Sequence, residues 1–303
     1  MRRSDRGGSG RRLLRHVDLH LHSSASDGTM SPGRLALKAS EAELDLVALT
    51  DHDTTAGLPE FLEGCRDRAL PALAGIELSA EAPFTLHLLG YGIGVGCPAL
   101  EDHLFRLRER RRERNEAIRL RLAGLGFPLS PDEIEKESGG EVVARPHIAR
   151  AMVRRGYVHD MPSAFRLFLG REGAAYVPRC RLSAESCIQA IVDAGGVAVL
   201  AHPVQTGLDD EGLIALLFRL KEAGLWGLEC YSGHHGAEER LRLLSMAFRL
   251  GLAPTAGSDF HGDNRPGIDF GVVVDEALFP FDFLVRLASR RAGESLAPSG
   301  RGR

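Results

Sequence analysis

The 303-residue sequence predicts an α/β fold: a barrel of seven short strands alternating with helices, interrupted by a helical insertion. Three observations point there. Short apolar runs recur between helix-spaced segments, as buried parallel strands require. Residue types that bind metals cluster where those runs stop, and strand ends are where α/β barrels carry their chemistry. Between Cys97 and about Arg171 the alternation lapses into charged helical sequence with no convincing strand.

The first strand carries the densest polar signal. In the stretch from His16 to Leu21 and on to Gly28, Val17, Leu19 and Leu21 alternate with Asp18, His20 and His22, which puts the three polar side chains on one face. Two histidines and an aspartate buried together need a partner that satisfies several polar groups at once, and a metal ion is one. A solvated strand face is the plainer reading of an isolated His-x-His. The turn-rich loop 23–28 can fold Asp27 back over the strand end.

Ser31-Pro32 then opens a helix with Leu35, Leu37 and Ala42 at helical spacing. The apolar run 46–50 ends in Asp51-His52-Asp53. After a helix over 58–69, strand 72–78 ends near Glu77, and strand 84–92 carries His87. Each strand so far therefore ends on a potential ligand.

The insertion begins with a helix over 100–122 that contains Arg106 to Arg114, a charged run with Glu/Arg pairs one helical turn apart. A solvated helix face is its plainer reading, and contact with a polyanionic substrate the functional one. Ser130-Pro131 caps a second helix, Arg145-Pro146-His147 opens a third, and 163–169 forms a fourth. The alternation then resumes. Helix 183–194 leads to strand 197–201 and His202-Pro203. Helix 211–223 leads to strand 226–231, which contains Glu229 and Cys230. Helix 237–250 leads to strand 253–257, which runs into Asp259 and His261. The domain reading is a barrel over 16–96 and 176–290, an insertion over 97–175, and disordered tails at 1–15 and 297–303.

Composition narrows the function classes. A net charge of −3 makes no global case for nucleic acid, and the 38 basic residues include only Lys38, Lys136 and Lys221 as lysines. No apolar run reaches the ~20 residues of a membrane helix. The N-terminal stretch has no apolar core, so it does not read as a signal peptide. The five cysteines show no Cys-x-x-Cys spacing and read as reduced thiols in a cytoplasmic protein. No obligate protein partner is evident.

Taken together, these motifs resemble the PHP (polymerase and histidinol phosphatase) family of metal-dependent phosphoesterases. The matching stretches are Asp18-Leu19-His20-Leu21-His22-Ser23 with Asp27-Gly28, Thr50-Asp51-His52-Asp53, Gly75-Ile76-Glu77, His87-Leu88-Leu89-Gly90-Tyr91, Ala201-His202-Pro203 and Gly257-Ser258-Asp259-Phe260-His261. The insertion with Arg145-Pro146-His147-Ile148-Ala149 is similar to the branch of nucleoside 3′,5′-bisphosphate phosphatases and a 5′-to-3′ exoribonuclease of short RNAs. The resemblance implies a distorted seven-stranded, TIM-like (β/α) barrel. It implies three divalent metal ions held by His20, His22, Asp27, His52, Glu77, His87, His202, Asp259 and His261, with Glu77 bridging two of them. Manganese is the first expectation, and iron or zinc also fits a mixed N/O site. The attacking hydroxide is expected at Glu77, His202 and Asp259.

The expected substrate is a nucleotide or short RNA, cleaved at the 3′-phosphate of a nucleoside 3′,5′-bisphosphate or from the 5′ end of 5′-phosphorylated RNA. Arg145 and His147 are the expected grip on a second phosphate, unless Arg145 merely pairs with Glu141. His235, with His234 beside it, is expected to contact substrate or protonate the leaving group, unless both are solvated loop residues. Asp51 and Asp53 are placed to orient an imidazole. Glu229 reads as structural or as a contact to a ligand, and Cys230 as a buried thiol. His16, His103 and His159 read as surface residues. Rival readings are a histidinol-phosphate phosphatase, a C–N hydrolase, and a non-catalytic metal- or nucleic-acid-binding protein. The C–N hydrolase usually needs a lysine at a strand end, which this chain lacks.

Overall fold

The computed structural model describes residues 13–138, 143–178, 181–233 and 235–289. Eight strands form one sheet: β1 (Leu14–Leu21), β2 (Leu46–Leu49), β3 (Ala72–Ser79), β4 (His87–Tyr91), β5 (Val197–Leu200), β6 (Leu225–Ser232), β7 (Ala253–Gly257) and β8 (Val272–Asp275). Their order is β7-β6-β5-β4-β3-β2-β1-β8. Past β7, the Asp259 N–H donates to the His20 carbonyl (2.9 Å) and the His22 N–H to the Phe260 carbonyl (3.0 Å). These bonds bring β7 back against β1 and nearly close a seven-strand barrel, with β8 added outside β1.

Two features correct the sequence reading. β8, antiparallel to β1, is an eighth strand; its four residues are too short a run to stand out. β4 is antiparallel to both β3 and β5. Residues 80–86 between β3 and β4 make a hairpin loop, too short for the crossover a parallel partner needs. His87 therefore begins its strand instead of ending it. The reversal still brings it to the rim where the parallel strands finish, since Ser79 pairs with His87.

The outer helices are α1 (Pro32–Glu41), α2 (Leu58–Arg66), α7 (Ala184–Asp193), α8 (Asp210–Glu222), α9 (Ala237–Leu250) and α10 (Phe281–Ala288). α10 went unrecognised in the sequence. The insertion holds α3 (Pro98–Gly124), α4 (Pro131–Ser138), α5 (Arg145–Arg154) and the single turn α6 (Met161–Ala164), extended by five π-helical residues to Leu169. Proline at its first turn, Glu101 near its start and Arg121 near its end suit the 27-residue α3.

That helix joins two cores. Leu100 and Leu104 pack into the barrel core. Ile118 and Leu122 pack with Ile148, Met152 and Leu169 in a separate insertion core. Side-chain contacts pin α3 over the barrel mouth: Thr55 Oγ1 donates to Glu101 Oε1 (2.5 Å), and Arg111 pairs with Asp53. Among the described residues, no helix is long and apolar enough to cross a membrane.

Candidate metal centre and the cavity above it

Glu77, at the end of β3, sits at the middle of the barrel rim and is fully buried. Its Oε2 faces His52 Nδ1 (2.9 Å), His22 Nε2 (3.2 Å) and His20 Nε2 (3.4 Å). Its Oε1 faces His87 Nδ1 (2.9 Å) and His202 Nε2 (3.1 Å). Asp259 Oδ1 lies 3.4 and 3.5 Å from the Nε2 atoms of His20 and His22. Asp27, folded back from the loop after β1, reaches His261 Nε2 (3.3 Å) and His22 Nδ1 (3.6 Å).

All nine expected ligands thus converge. They form four overlapping groups whose donor atoms lie within 4.8 Å of one another: His22, Asp27, His52 and His261; His20, His22 and Asp259; His20, Glu77 and His202; and His52, Glu77 and His87. Whether this set fits metal ions can be judged from its buried donors. His20 Nε2, both nitrogens of His22, His52 Nδ1, Glu77 Oε2, His202 Nδ1 and His261 Nε2 are buried without a hydrogen bond. Leaving so many lone pairs unsatisfied in a protein interior is costly, and cations satisfy them together. Six imidazoles with three carboxylates and no thiolate are donors suited to several first-row divalent ions. The residues fit.

Titration behaviour reflects the same crowding. Burial pushes the His22 imidazole down to about 3, with His261 and His52 adding to the effect. Burial opposes ionisation of Glu77, yet His52, His87 and His20 together hold its carboxyl well below the usual range. His52 is lowered by burial but raised more by Glu77, to about 9.

Backbone geometry aims the ligands. His202 (φ 25°) and Asp259 (φ 61°) occupy the left-handed region, which is unfavourable for residues with a Cβ. Gly257 leaves room for His20, since a Cβ there would sit 2.2 Å from the His20 Cβ.

Of the supporting carboxylates, Asp51 and Asp53 behave differently from expectation, while Glu229 contacts ligands as the sequence reading allowed. Asp51 orients no imidazole; it accepts from the Ser23 N–H (2.7 Å), Ser23 Oγ (2.6 Å) and Ser26 Oγ (2.6 Å), which holds the loop that carries Asp27. Asp53 accepts from the Ser79 N–H (3.3 Å) and pairs with Arg111. Asp18 points to the other end of the turn, accepting from Ser258 N–H (2.9 Å), Ser258 Oγ (2.6 Å) and Gly271 N–H (2.9 Å). Burial raises its carboxyl to about 6. Glu229 contacts two ligands: Oε1 lies 2.9 Å from His20 Nδ1, and Oε2 accepts the His202 N–H at 2.6 Å.

Above the cluster opens a cavity of about 820 Å³. Asp27, His52, His87 and His261 face it from the barrel, and Arg110, Arg111, Arg114, Arg145, His147 and Arg150 from the insertion, with Arg181 and Arg265 also in its lining. Arg145 Nη1 donates to the Leu169 carbonyl (2.8 Å), Arg114 Nε to that of Val177 (3.0 Å) and Arg181 Nη1 to that of Ala80 (3.2 Å). Arg145 Nε and Arg114 Nη2 are buried without partners. Burial, with Arg145 nearby, lowers Arg114 to about 10. His147 Nδ1 accepts the Ala144 N–H (3.0 Å), capping α5, and burial lowers it to about 4.

The structure brings Arg145 and His147 into the cavity but not His235. That imidazole is buried beside the Cys230 carbonyl (Nδ1 at 3.1 Å), away from the lining. The loop from β6 to α9 turns it back onto its own strand. His234 and Glu141 lie outside the described residues. Sequence reasoning missed Arg114, Arg181 and Arg265 individually. The i,i+3/i+4 placement of Arg110, Arg111 and Arg114 was the available signal, since it makes one helix stripe. His103 is half-buried on α3 rather than fully at the surface, while His159 is exposed.

Comparison with known proteins agrees with this geometry. Residues 18–120 match the PHP domain model. The chain is 35% identical over 264 residues to a 3′,5′-nucleoside bisphosphate phosphatase from Chromobacterium violaceum, covering 86% of this chain and 93% of that protein. It is 33% identical over 257 residues to the 5′-3′ exoribonuclease Rnm of Salmonella typhimurium, covering 84% and 87%. Among solved structures, it is similar to a sulfate-bound, metal-free protein from C. violaceum described as an amidohydrolase (TM-score 0.75, 33% identity, 90% and 96% covered). It is also similar to a protein from Bifidobacterium adolescentis described as a metal-dependent phosphoesterase (TM-score 0.74, 30% identity, 91% and 98% covered). With the nine ligand-type residues converged at the barrel rim and relatives aligned along most of its length, the chain belongs to the PHP family of phosphoesterases.

Proposed function

We propose that the protein hydrolyses nucleotide phosphate esters that carry a second phosphate: the 3′-phosphate of nucleoside 3′,5′-bisphosphates, or the first linkage of short 5′-phosphorylated RNA. The observation that carries this reading is one cavity lined on one side by Asp27, His52, His87 and His261 of the nine-residue ligand cluster and on the other by guanidinium groups. The relatives named for both activities support the same substrate class.

The nine residues would hold three divalent ions, with Glu77 shared and manganese as the first choice. Such ions lower the pKa of a water so that hydroxide is present near neutral pH, and they offset charge on the phosphoryl group. The chain's own residues do the rest. Arg145 and Arg114 offer buried N–H donors with no partner, and Arg145 can grip a phosphate bidentately. His147 caps α5 as a neutral acceptor, so it shapes the first turn instead of adding charge. Arg265, in the cavity lining, pairs with Asp259 and fixes that carboxylate.

Histidinol phosphate carries one phosphate and leaves the guanidinium wall unused. C–N hydrolysis through a strand-end lysine has no residue to use, because Lys38, Lys136 and Lys221 lie on α1, α4 and α8. The test is product analysis with manganese-loaded protein on a nucleoside 3′,5′-bisphosphate beside a 5′-phosphorylated RNA oligonucleotide. Release of inorganic phosphate from the first, or of mononucleotides from the 5′ end of the second, is expected. No product from either, with binding of the metal intact, would refute the reading.

A further inference from the structure

The two oxygens of Glu229 are committed to two metal-ligand positions on different strands. Glu229 is fully buried, and among the described residues no lysine or arginine pairs with it. An isolated buried carboxylate is costly, so its position calls for a reason beyond packing. Oε2 accepts the main-chain N–H of His202, the ligand after β5, and Oε1 faces Nδ1 of His20, the ligand on β1. A carboxylate only accepts, so His20 Nδ1 carries its proton. In the neutral ring that leaves the lone pair on His20 Nε2, which points at Glu77 and Asp259. His20 belongs to two of the four ligand groups.

We infer that Glu229 is the positioning residue that sets the tautomer of His20 and, through the His202 N–H, locks the backbone of a second ligand in its left-handed conformation. This assignment rests on the reading that the nine-residue cluster binds divalent ions. Its chemistry singles out one substitution. Both partners of Glu229 present N–H groups, and a carboxylate has two acceptors, whereas an amide of the same shape has one. In Glu229→Gln the amide oxygen must serve the fixed His202 N–H. The NH2 then faces His20 Nδ1, which has to become an acceptor, and the ring proton moves to Nε2, where it blocks ligation.

The test is a manganese(II) titration of wild-type, E229Q and E229D proteins, with melting of each metal-free protein as a parallel readout. E229Q is expected to melt near wild type without metal but to bind with reduced stoichiometry, the affected ions held roughly 10- to 100-fold more weakly. E229D keeps the charge and both acceptors and should recover part of that loss. In a His20→Ala background, E229Q should add little, because it acts through that ring. Wild-type binding by E229Q, an equal loss in E229D, or failure of E229Q to fold would each overturn the assignment; the last would make Glu229 a structural residue. Absence of manganese binding by the wild-type protein would instead refute the underlying metal reading.

Discussion

The two faces of the cavity are built in opposite ways. On the barrel side, ligands stand on strand ends, most are fully buried, and they are braced by carboxylates such as Asp18, Asp51 and Glu229 that are themselves buried. On the insertion side, Arg114, Arg145 and Arg181 reach in from helices and a connecting segment, are half-buried, and rest on main-chain carbonyls. The first face is rich in lone pairs and poor in donors, and the second is the reverse. A site for cations therefore needs a rigid frame to keep like groups together. A site for anions needs only N–H donors held apart on helices, because backbone carbonyls orient them at little cost in charge.

The largest break should come on the barrel face. His20→Ala or Asp259→Asn is expected to reduce turnover to background while circular dichroism shows the fold retained, and the double variant should be no worse than either single one. Full activity with the ions still bound would remove that residue from the site.

On the insertion face the loss should fall on binding. Arg145→Ala is expected to raise KM about thirty-fold, ~2 kcal/mol, for a substrate with a 5′-phosphate, leaving kcat near wild type. An analogue without that group should be affected much less. Equal losses on both would mean that Arg145 does not read the second phosphate.

A stability contrast sharpens the picture further. Gly257→Ala drives a methyl group into the His20 backbone and Cβ, so it should cost about 1–3 kcal/mol in the metal-free protein and weaken metal binding as well. Thermal melting with and without manganese measures both.

The insertion should show a smaller, pH-linked effect. His147 has its folded-state pKa lowered to about 4 from an ordinary 6.5. Above 6.5 the ring is neutral in both states; as pH falls toward 4 the unfolded chain takes up the proton first, so stability drops across that window. Solvent contact moderates the size. His147→Gln should flatten this part of the stability–pH curve, and an unchanged slope would assign it to other groups. Smallest of all, Glu116→Gln removes an exposed pairing with Arg119 on the outer side of α3 and should leave melting and both sites unchanged.

Much of the barrel face was legible in the residues themselves. His20 and His22 alternate with buried leucines, and His52, Glu77, His202, Asp259 and His261 each close an apolar run; local periodicity carries that information. His87 was found for an incomplete reason, because its strand runs backwards, and direction depends on the loop rather than on the strand. The arginine wall was far less legible. A charged helix reads the same whether it faces water or a cavity, and α3 has no clear apolar stripe to orient it.

By itself, then, the sequence determined the α/β alternation, the helical insertion and the ligand-type residues at strand ends, because each rests on local spacing and side-chain chemistry; the set of nine was what the family resemblance implied. The tertiary structure alone decided how they meet. It joined β7 to β1, added β8, reversed β4, turned His235 away, and placed Glu229 between His20 and His202. Those outcomes depend on contacts between residues tens to hundreds of positions apart, set by which strands pair and which groups are left to share a buried hydrogen bond.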